Sequence, residues 1–215
     1  MHIARELERR LEHLLEGAAG RVFRGRVHPS ELAARIAREA DLACFEHSTG
    51  PATANTYTLT MNPKDVAASQ DELERELGSV LFQYAAEKGL RLPGPARIVI
   101  TESEKVPTGQ FTCSAEITGG TIPPWARLVG SQAFPIGPNR ALIGRGDDAD
   151  VIIPHDDVSR RHALVWRERG RAWISDLGSA NGTTLDGMAV VAEPTPLEHG
   201  SMLTLASRRF RFLED

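Results

Sequence analysis

The sequence predicts two domains of different class. An N-terminal α+β domain, a small sheet covered by helices, is expected over residues 1–120. A C-terminal all-β sandwich is expected over 126–215, with a short linker at 121–125. Three observations carry this. Apolar residues recur at helical spacing in the first half. From Trp125 onward the pattern switches to period 2 in many short runs. Gly119-Gly120 and Pro123-Pro124 mark the change.

In the first half, Ile3, Leu7, Leu11, Leu14 and Leu15 share one helical face, and Gly17 and Gly20 end that helix. RVFRGRV (21–27) alternates as a short strand would. Pro29-Ser30-Glu31 opens a second helix that turns Leu32, Ile36 and Ala40 inward. TANTYTLTMN (53–62) has the β-branched alternation of a strand. Asp71 to Lys88 reads as a third helix through Leu73, Leu77, Val80, Leu81 and Tyr84, capped by Gly89. ARIVIT (96–101) and QFTCSAEI (110–117) read as two more strands.

The second half offers strands at 126–130, 134–136, 140–145, 150–153, 162–168, 171–176, 183–185, 188–192, 202–206 and 208–213. Gly, Pro, Asn and Asp punctuate them. So many short strands at close spacing argue for a sandwich or barrel.

Charge narrows the function. Residues 1–124 carry a net −3 and residues 125–215 a net −1, so a protein that grips nucleic acid by its phosphates is disfavoured. Cys44 and Cys113 lie far apart without metal-ligand spacing and are expected as buried or half-buried free thiols. No cofactor and no metal are expected. The N-terminus lacks an apolar signal region, and no run reaches the roughly 20 apolar residues that span a bilayer. The expectation is a soluble cytoplasmic chain.

Three short groups stand out in order: Gly144-Arg145, Ser159-Arg160-Arg161-His162 and Asn181-Gly182. An arginine at a strand end presents a planar fork that suits a phosphate dianion. A serine hydroxyl and the backbone N–H after it can both donate to phosphate oxygens, and Arg160 adds positive charge. His162 opens the next strand and reads as a structural residue that shapes the Ser159 turn. The Asn181 amide, with a donor side and an acceptor side, can pair with a bound peptide's backbone, while Gly182 supplies a turn geometry. Each piece has a plain alternative: a solvated arginine, a core histidine, an ordinary hairpin turn. A Ser159/His162 hydrolase pair is the catalytic alternative, but no nucleophile-elbow sequence surrounds Ser159.

Taken as an ordered set, with 13 residues between Arg145 and Ser159 and 18 between His162 and Asn181, the pattern resembles the forkhead-associated (FHA) domain. The resemblance covers about residues 126–215 and implies a β-sandwich that reads phosphothreonine peptides on its apical loops. It implies Arg145 and Ser159 as phosphate ligands, Arg160 as an assisting cation and Asn181 as a ligand of the peptide main chain. Gly144, His162 and Gly182 would hold the loops in shape. SDLGSANGT follows the family closely, except that Ala180 stands where Ser or Thr is usual.

The stretch RVFRGRVHPSELA (21–33) resembles the FhaA-type N-terminal domain found ahead of FHA domains in actinobacterial proteins. That likeness covers about residues 3–118. It implies a non-enzymatic adaptor in Ser/Thr kinase signalling, in the setting of cell-envelope synthesis or division. The implied partners are phosphothreonine-containing proteins, either a kinase or its substrates, some of them membrane-bound. The domain can itself be a kinase substrate in that family. Thr108, Thr112, Thr118 and Thr121 are candidate acceptors, which opens the way to phospho-dependent self-association. The alternative function is a nucleic-acid-binding regulator, with Arg21, Arg24, Arg26 and Arg35 as the basic face and the FHA domain as its switch.

Overall fold

The computed structural model describes residues 27–66 and 70–215. The expected first helix, and all of the expected 21–27 strand except Val27, lie outside the described residues.

Helix α1 (Pro29–Leu42) starts because the His28 ring accepts the Ser30 amide and Pro29 occupies the first turn, where no amide donor is needed. Leu32, Ala33, Ile36 and Ala40 form its buried face. A hairpin of β1 (Phe45–His47) and β2 (Gly50–Ala52) follows, and then strand β3 (Thr56–Met61). A single 3₁₀ turn at Pro63–Asp65 leads to α2 (Gln70–Lys88), which ends at Gly89 with φ +65°. Strands β4 (Arg97–Glu102) and β5 (Phe111–Glu116) complete a sheet of order β4-β3-β5. β3 pairs in parallel with β4, and α2 is the crossover that such a pair requires. Tyr57, Leu59, Met61, Ile98 and Ile100 are buried from this sheet, with Leu73, Leu77, Leu81 and Tyr84 buried from α2. Cys113 is half-buried, and burial pushes its thiol up to about 11. Cys44 departs from expectation: it is exposed, because it lies just past the end of α1.

The second half is the expected sandwich. Its strands are β6 (Ala126–Val129), β7 (Ala133–Ile136), β8 (Arg140–Gly144), β9 (Val151–Ile152), β10 (Ala163–Glu168) and β11 (Arg171–Asp176). They continue with β12 (Thr183–Leu185), β13 (Met188–Val190), β14 (Thr195–Leu197), β15 (Met202–Leu205) and β16 (Arg208–Glu214). One sheet runs β14-β11-β10-β8-β9 and the other β13-β12-β15-β16-β6-β7. Leu128, Ile136, Leu142, Val165, Ile174, Leu203, Leu205 and Phe212 are buried core residues of the two sheets. β14 is not among the expected strands, because Pro196 sits in it. Its place at a sheet edge makes the missing amide donor tolerable.

Contacts divide the chain into two compact units at Gly120. Two short strips, Glu46–Pro51 and Ala86–Arg91, belong with Thr121–Asp215 rather than with the residues around them in sequence. Within that second unit Arg140 donates to the Thr49 carbonyl at 2.6 Å and the Gly89 carbonyl at 3.1 Å. Arg91 meets Asp150 with both guanidinium ends, at 2.7 and 2.8 Å. Asp150 in turn accepts the Leu142 amide at 2.8 Å, which ties the end of the loop between β8 and β9 back to β8.

Candidate functional site

Four loops of the second unit converge. They are the β8–β9 loop (145–150), the segment before β10 (153–162), the β11–β12 loop (177–182) and the β15–β16 turn (206–207). The first two zip together: the Arg145 amide donates to Ser159 O at 3.0 Å, and the Gly146 amide to Arg160 O at 3.1 Å. This is possible because residue 144 is glycine. A Cβ there would lie 2.0 Å from Arg160 O.

His162 is fully buried and connects two of these segments. Its Nδ1 accepts the Ser159 amide at 3.0 Å, and its Nε2 lies 3.1 Å from Gly182 O. The pairing assigns the neutral tautomer with the proton on Nε2, donating to that carbonyl. The His162 carbonyl accepts the Leu177 amide at 2.9 Å. Both ring nitrogens are thus committed to backbone, so His162 has none left to act as a base on Ser159. That geometry speaks against the hydrolase alternative.

The Ser159 hydroxyl oxygen accepts the Ala180 amide at 3.0 Å, which leaves its own proton to donate outward. Ala180 therefore contributes its backbone to the site even without a side-chain hydroxyl. Asn181 Nδ2 donates to Asp157 O at 2.8 Å. Gly182 has φ +77°, and its carbonyl also accepts the Ala206 amide at 3.0 Å.

Arg145, Ser159 and Arg160 line one open cavity of about 510 Å³, together with Asp148 and Arg161. Two guanidiniums and a hydroxyl facing one space suit a tetrahedral dianion. The sequence-predicted residues are thus brought together, with Arg145, Ser159 and Arg160 on the cavity, Gly144 and His162 buried against the 159–160 segment, and Gly182 exposed at the end of the β11–β12 loop. Asn181 lies on the neighbouring loop.

Four further residues, none of them among the expected ligands, shape the site. Arg161 and Asp148 pair at 2.8 Å on the cavity wall. Asp176 is buried under the β11–β12 loop, where it accepts the Ser179 amide at 2.7 Å and the Ser179 and Thr183 hydroxyls at 2.6 Å each. Burial alone would raise its pKa, but these bonds outweigh it and hold the carboxyl below the usual range. The Asp-x-x-Ser spacing, an Asx-turn pattern, is the signal that marks it. The Asp157 carboxylate accepts from the Ser207 hydroxyl and amide and meets His155 at 2.5 Å. The Ser207 hydroxyl, more than His155, holds that carboxyl down at about 2.

Among the described residues of the first unit, Arg35 is paired with Glu39 at 2.7 Å, while Arg21, Arg24 and Arg26 lie outside them. The four candidate threonines differ. Thr118 is tied to Thr56 at 2.6 Å and to Asn55. Thr112 is exposed but sits within β5. Thr108 and Thr121 are exposed in irregular segments. No described helix is long and apolar enough to cross a membrane.

Comparison with known proteins agrees with this architecture. The family model for the FhaA N-terminal domain matches residues 5–114, and the FHA domain model matches residues 141–206. FhaB of Mycobacterium tuberculosis is 50% identical over 46 residues, 21% of this chain and 29% of that protein. FhaA of the same organism is 43% identical over 49 residues, 23% of this chain and 9% of that protein. Human proliferation marker protein Ki-67 is 33% identical over 79 residues, 37% of this chain and 2% of that protein. The chain thus spans a third or less of these relatives. Among solved structures, the FhaA FHA domain complexed with the intracellular domain of Rv3910 aligns at 28% identity and TM-score 0.36, over 40% of this chain and 96% of that one. With its first half matched by the FhaA N-terminal model and the loop cluster by the FHA model, this chain belongs to the FhaA N-terminal-domain family and carries an FHA domain behind that domain.

Proposed function

We propose that the FHA domain of this chain binds phosphothreonine peptides and that the chain works as a non-catalytic adaptor in Ser/Thr kinase signalling. The observation that carries this reading is the convergence of Arg145, Ser159 and Arg160 on one open cavity. Phosphothreonine brings about −1.5 to −2 charges and three acceptor oxygens at neutral pH. Charge-assisted bonds to it contribute about 1.5–3 kcal/mol each, and an unmodified threonine forms none of them. Asn181 would exchange its bond to Asp157 O for the peptide main chain. A single phosphate and an extended peptide bury little area, which fits reversible binding. The FHA-domain-containing relatives FhaA and FhaB fit a phosphopeptide reader, and the resemblance to the FhaA-type N-terminal domain extends the proposal to kinase signalling at the cell envelope.

The test is a titration of wild type and Arg145→Ala with phosphothreonine, phosphoserine and unmodified peptides of one sequence. Wild type should bind the phosphothreonine form at least tenfold more tightly than the unmodified one, and Arg145→Ala should lose that preference. Equal binding of all three forms by wild type would sink the reading.

Self-association is a finer part of the same reading. Exposure of Thr108 in the loop between β4 and β5 favours it as the acceptor over Thr118, whose hydroxyl is engaged with Thr56. Kinase treatment followed by mass mapping and size-exclusion chromatography checks both steps. A phosphorylated chain that still elutes as a monomer rules out the association.

A further inference from the structure

We propose that Asp148 sets the charge selectivity of the phosphate cavity, admitting one phosphate, favouring a basic neighbour beside it and rejecting a second negative charge. The proposal rests on the phosphothreonine reading and deepens it.

The acidic residues near the site are not equivalent. Asp150 is turned away, bonded to Arg91 and the Leu142 amide. The Asp157 carboxylate is taken up by Ser207 and His155. Asp147 is exposed and does not line the cavity. Asp148 alone of the four lines it, beside Arg145, Ser159, Arg160 and Arg161.

Two features keep its carboxylate on that wall. Asp148 Oδ2 is 2.8 Å from Arg161 Nη1, and Arg161 Nη2 donates to Ser48 O at 3.0 Å, so both ends of the guanidinium fork are occupied. The turn closed by the Ala149 amide on Gly146 O folds Asp148 back over Gly146. A Cβ at Gly146 would stand 2.8 Å from Asp148 Oδ1, so the absence of a side chain makes room for the carboxylate.

Charge bookkeeping then decides selectivity. The cavity lining carries three guanidiniums and one carboxylate, formally +2. A phosphothreonine dianion of about −2 matches that sum. A second phosphate or an acidic residue next to it finds no cation left, because Arg161 is already neutralised by Asp148. A lysine or arginine in the same place can meet Asp148 Oδ1, because the bond from Arg161 is made to Oδ2 and the side chain is 57% exposed.

The probes are phosphothreonine peptides of one sequence in which lysine or phosphoserine is placed in turn at each of the three positions before and after the phosphothreonine. They are titrated into the full chain as wild type, Asp148→Asn, Asp147→Asn and Arg145→Ala. Wild type is expected to favour lysine over phosphoserine by about tenfold at one or more positions, and Asp148→Asn to shrink that ratio to about threefold or less. The preference for phosphothreonine over threonine should survive in Asp148→Asn, and Asp147→Asn should leave the lysine-to-phosphoserine ratio alone. A ratio equal in wild type and Asp148→Asn at every position, or one moved as far by Asp147→Asn, overturns the assignment to Asp148 while leaving phosphothreonine binding intact. Loss of the phosphothreonine preference in wild type itself would instead remove the reading on which the assignment rests.

Discussion

Ser159 and Gly182 are held at opposite edges of one buried imidazole, the Ser159 amide donating to His162 Nδ1 at 3.0 Å and Gly182 O lying 3.1 Å from Nε2. A residue that cannot serve both edges leaves a donor and an acceptor without partners in a water-poor place. Such groups cost about 1–3 kcal/mol each. His162→Leu should therefore lose about 2–4 kcal/mol of stability in urea unfolding. Phosphopeptide affinity should fall too, because the Ser159 hydroxyl is no longer aimed. Unchanged stability would mean that the two backbone groups find other partners.

Asp176 gives a pH signature. Its folded-state pKa is depressed by the Ser179 and Thr183 bonds, which prevail over desolvation. A depressed carboxyl stabilises the fold above its unfolded value of about 3.9, and that contribution is lost as pH falls through the lower folded value. Asp176→Asn should thus be less stable than wild type at pH 6, and the gap should narrow as pH is lowered from about 5 towards 3. Urea unfolding at pH 6, 4 and 3 measures it. A gap that is constant with pH would assign the role of Asp176 to shape rather than charge.

The pair Arg91 and Asp150, within the second unit, is 12% and 15% exposed at its side chains, so it is shielded from solvent more than a surface bridge is. Removing one partner strands the other charge, and Arg91→Ala should cost about 3 kcal/mol. Arg91→Lys keeps the charge but loses the fork, and should cost less, about 1–2 kcal/mol. Because Asp150 ties the end of the 145–150 loop back to β8, amide hydrogen exchange at Arg145 and Gly146 should speed up in Arg91→Ala more than at Leu203, on the other sheet. Equal exchange changes at both places would show a general loosening instead.

The site was legible in the sequence where chemistry and geometry are local. Arg145, Ser159 and Asn181 lie in short loops between strands, and the short apolar, β-prone segments ALI, ALVW and TTL place those loops without tertiary knowledge. What stayed hidden depends on partners brought from elsewhere. Asp148 looks like any acidic loop residue until Arg161 is seen 2.8 Å away. Asp157 belongs to the site through Ser207, 50 residues on. Pro51 and Pro196 read as turn residues and so conceal the β1–β2 hairpin and β14, whose edge or short pairings tolerate them. That Glu46–Pro51 and Ala86–Arg91 belong to the second unit has no local signal, and neither do the bonds made there by Arg91 to Asp150 and by Arg140 to Thr49, whose partners lie far along the chain.

Gly144 and Gly182 look alike in sequence, each beside a proposed ligand, yet they are required for different reasons. At Gly182 a Cβ would meet nothing within 4 Å, and the demand is backbone conformation at φ +77°. Gly182→Ala should cost about 1–2 kcal/mol, the penalty of a left-handed residue, with the loop kept in place. At Gly144 the demand is space, since a Cβ would stand 2.0 Å from Arg160 O and 3.0 Å from Ser159 O. Backbone cannot swing aside as a side chain can, so Gly144→Ala must push the 159–160 segment away from Arg145 at a cost of about 3 kcal/mol. That movement separates Ser159 and Arg160 from Arg145, and phosphopeptide affinity should drop by more than tenfold. Gly182→Ala should bind within about threefold of wild type once its lower stability is allowed for. Paired urea unfolding and peptide titration of the two variants would decide it. Equal affinity losses would show that both glycines act through one loop movement.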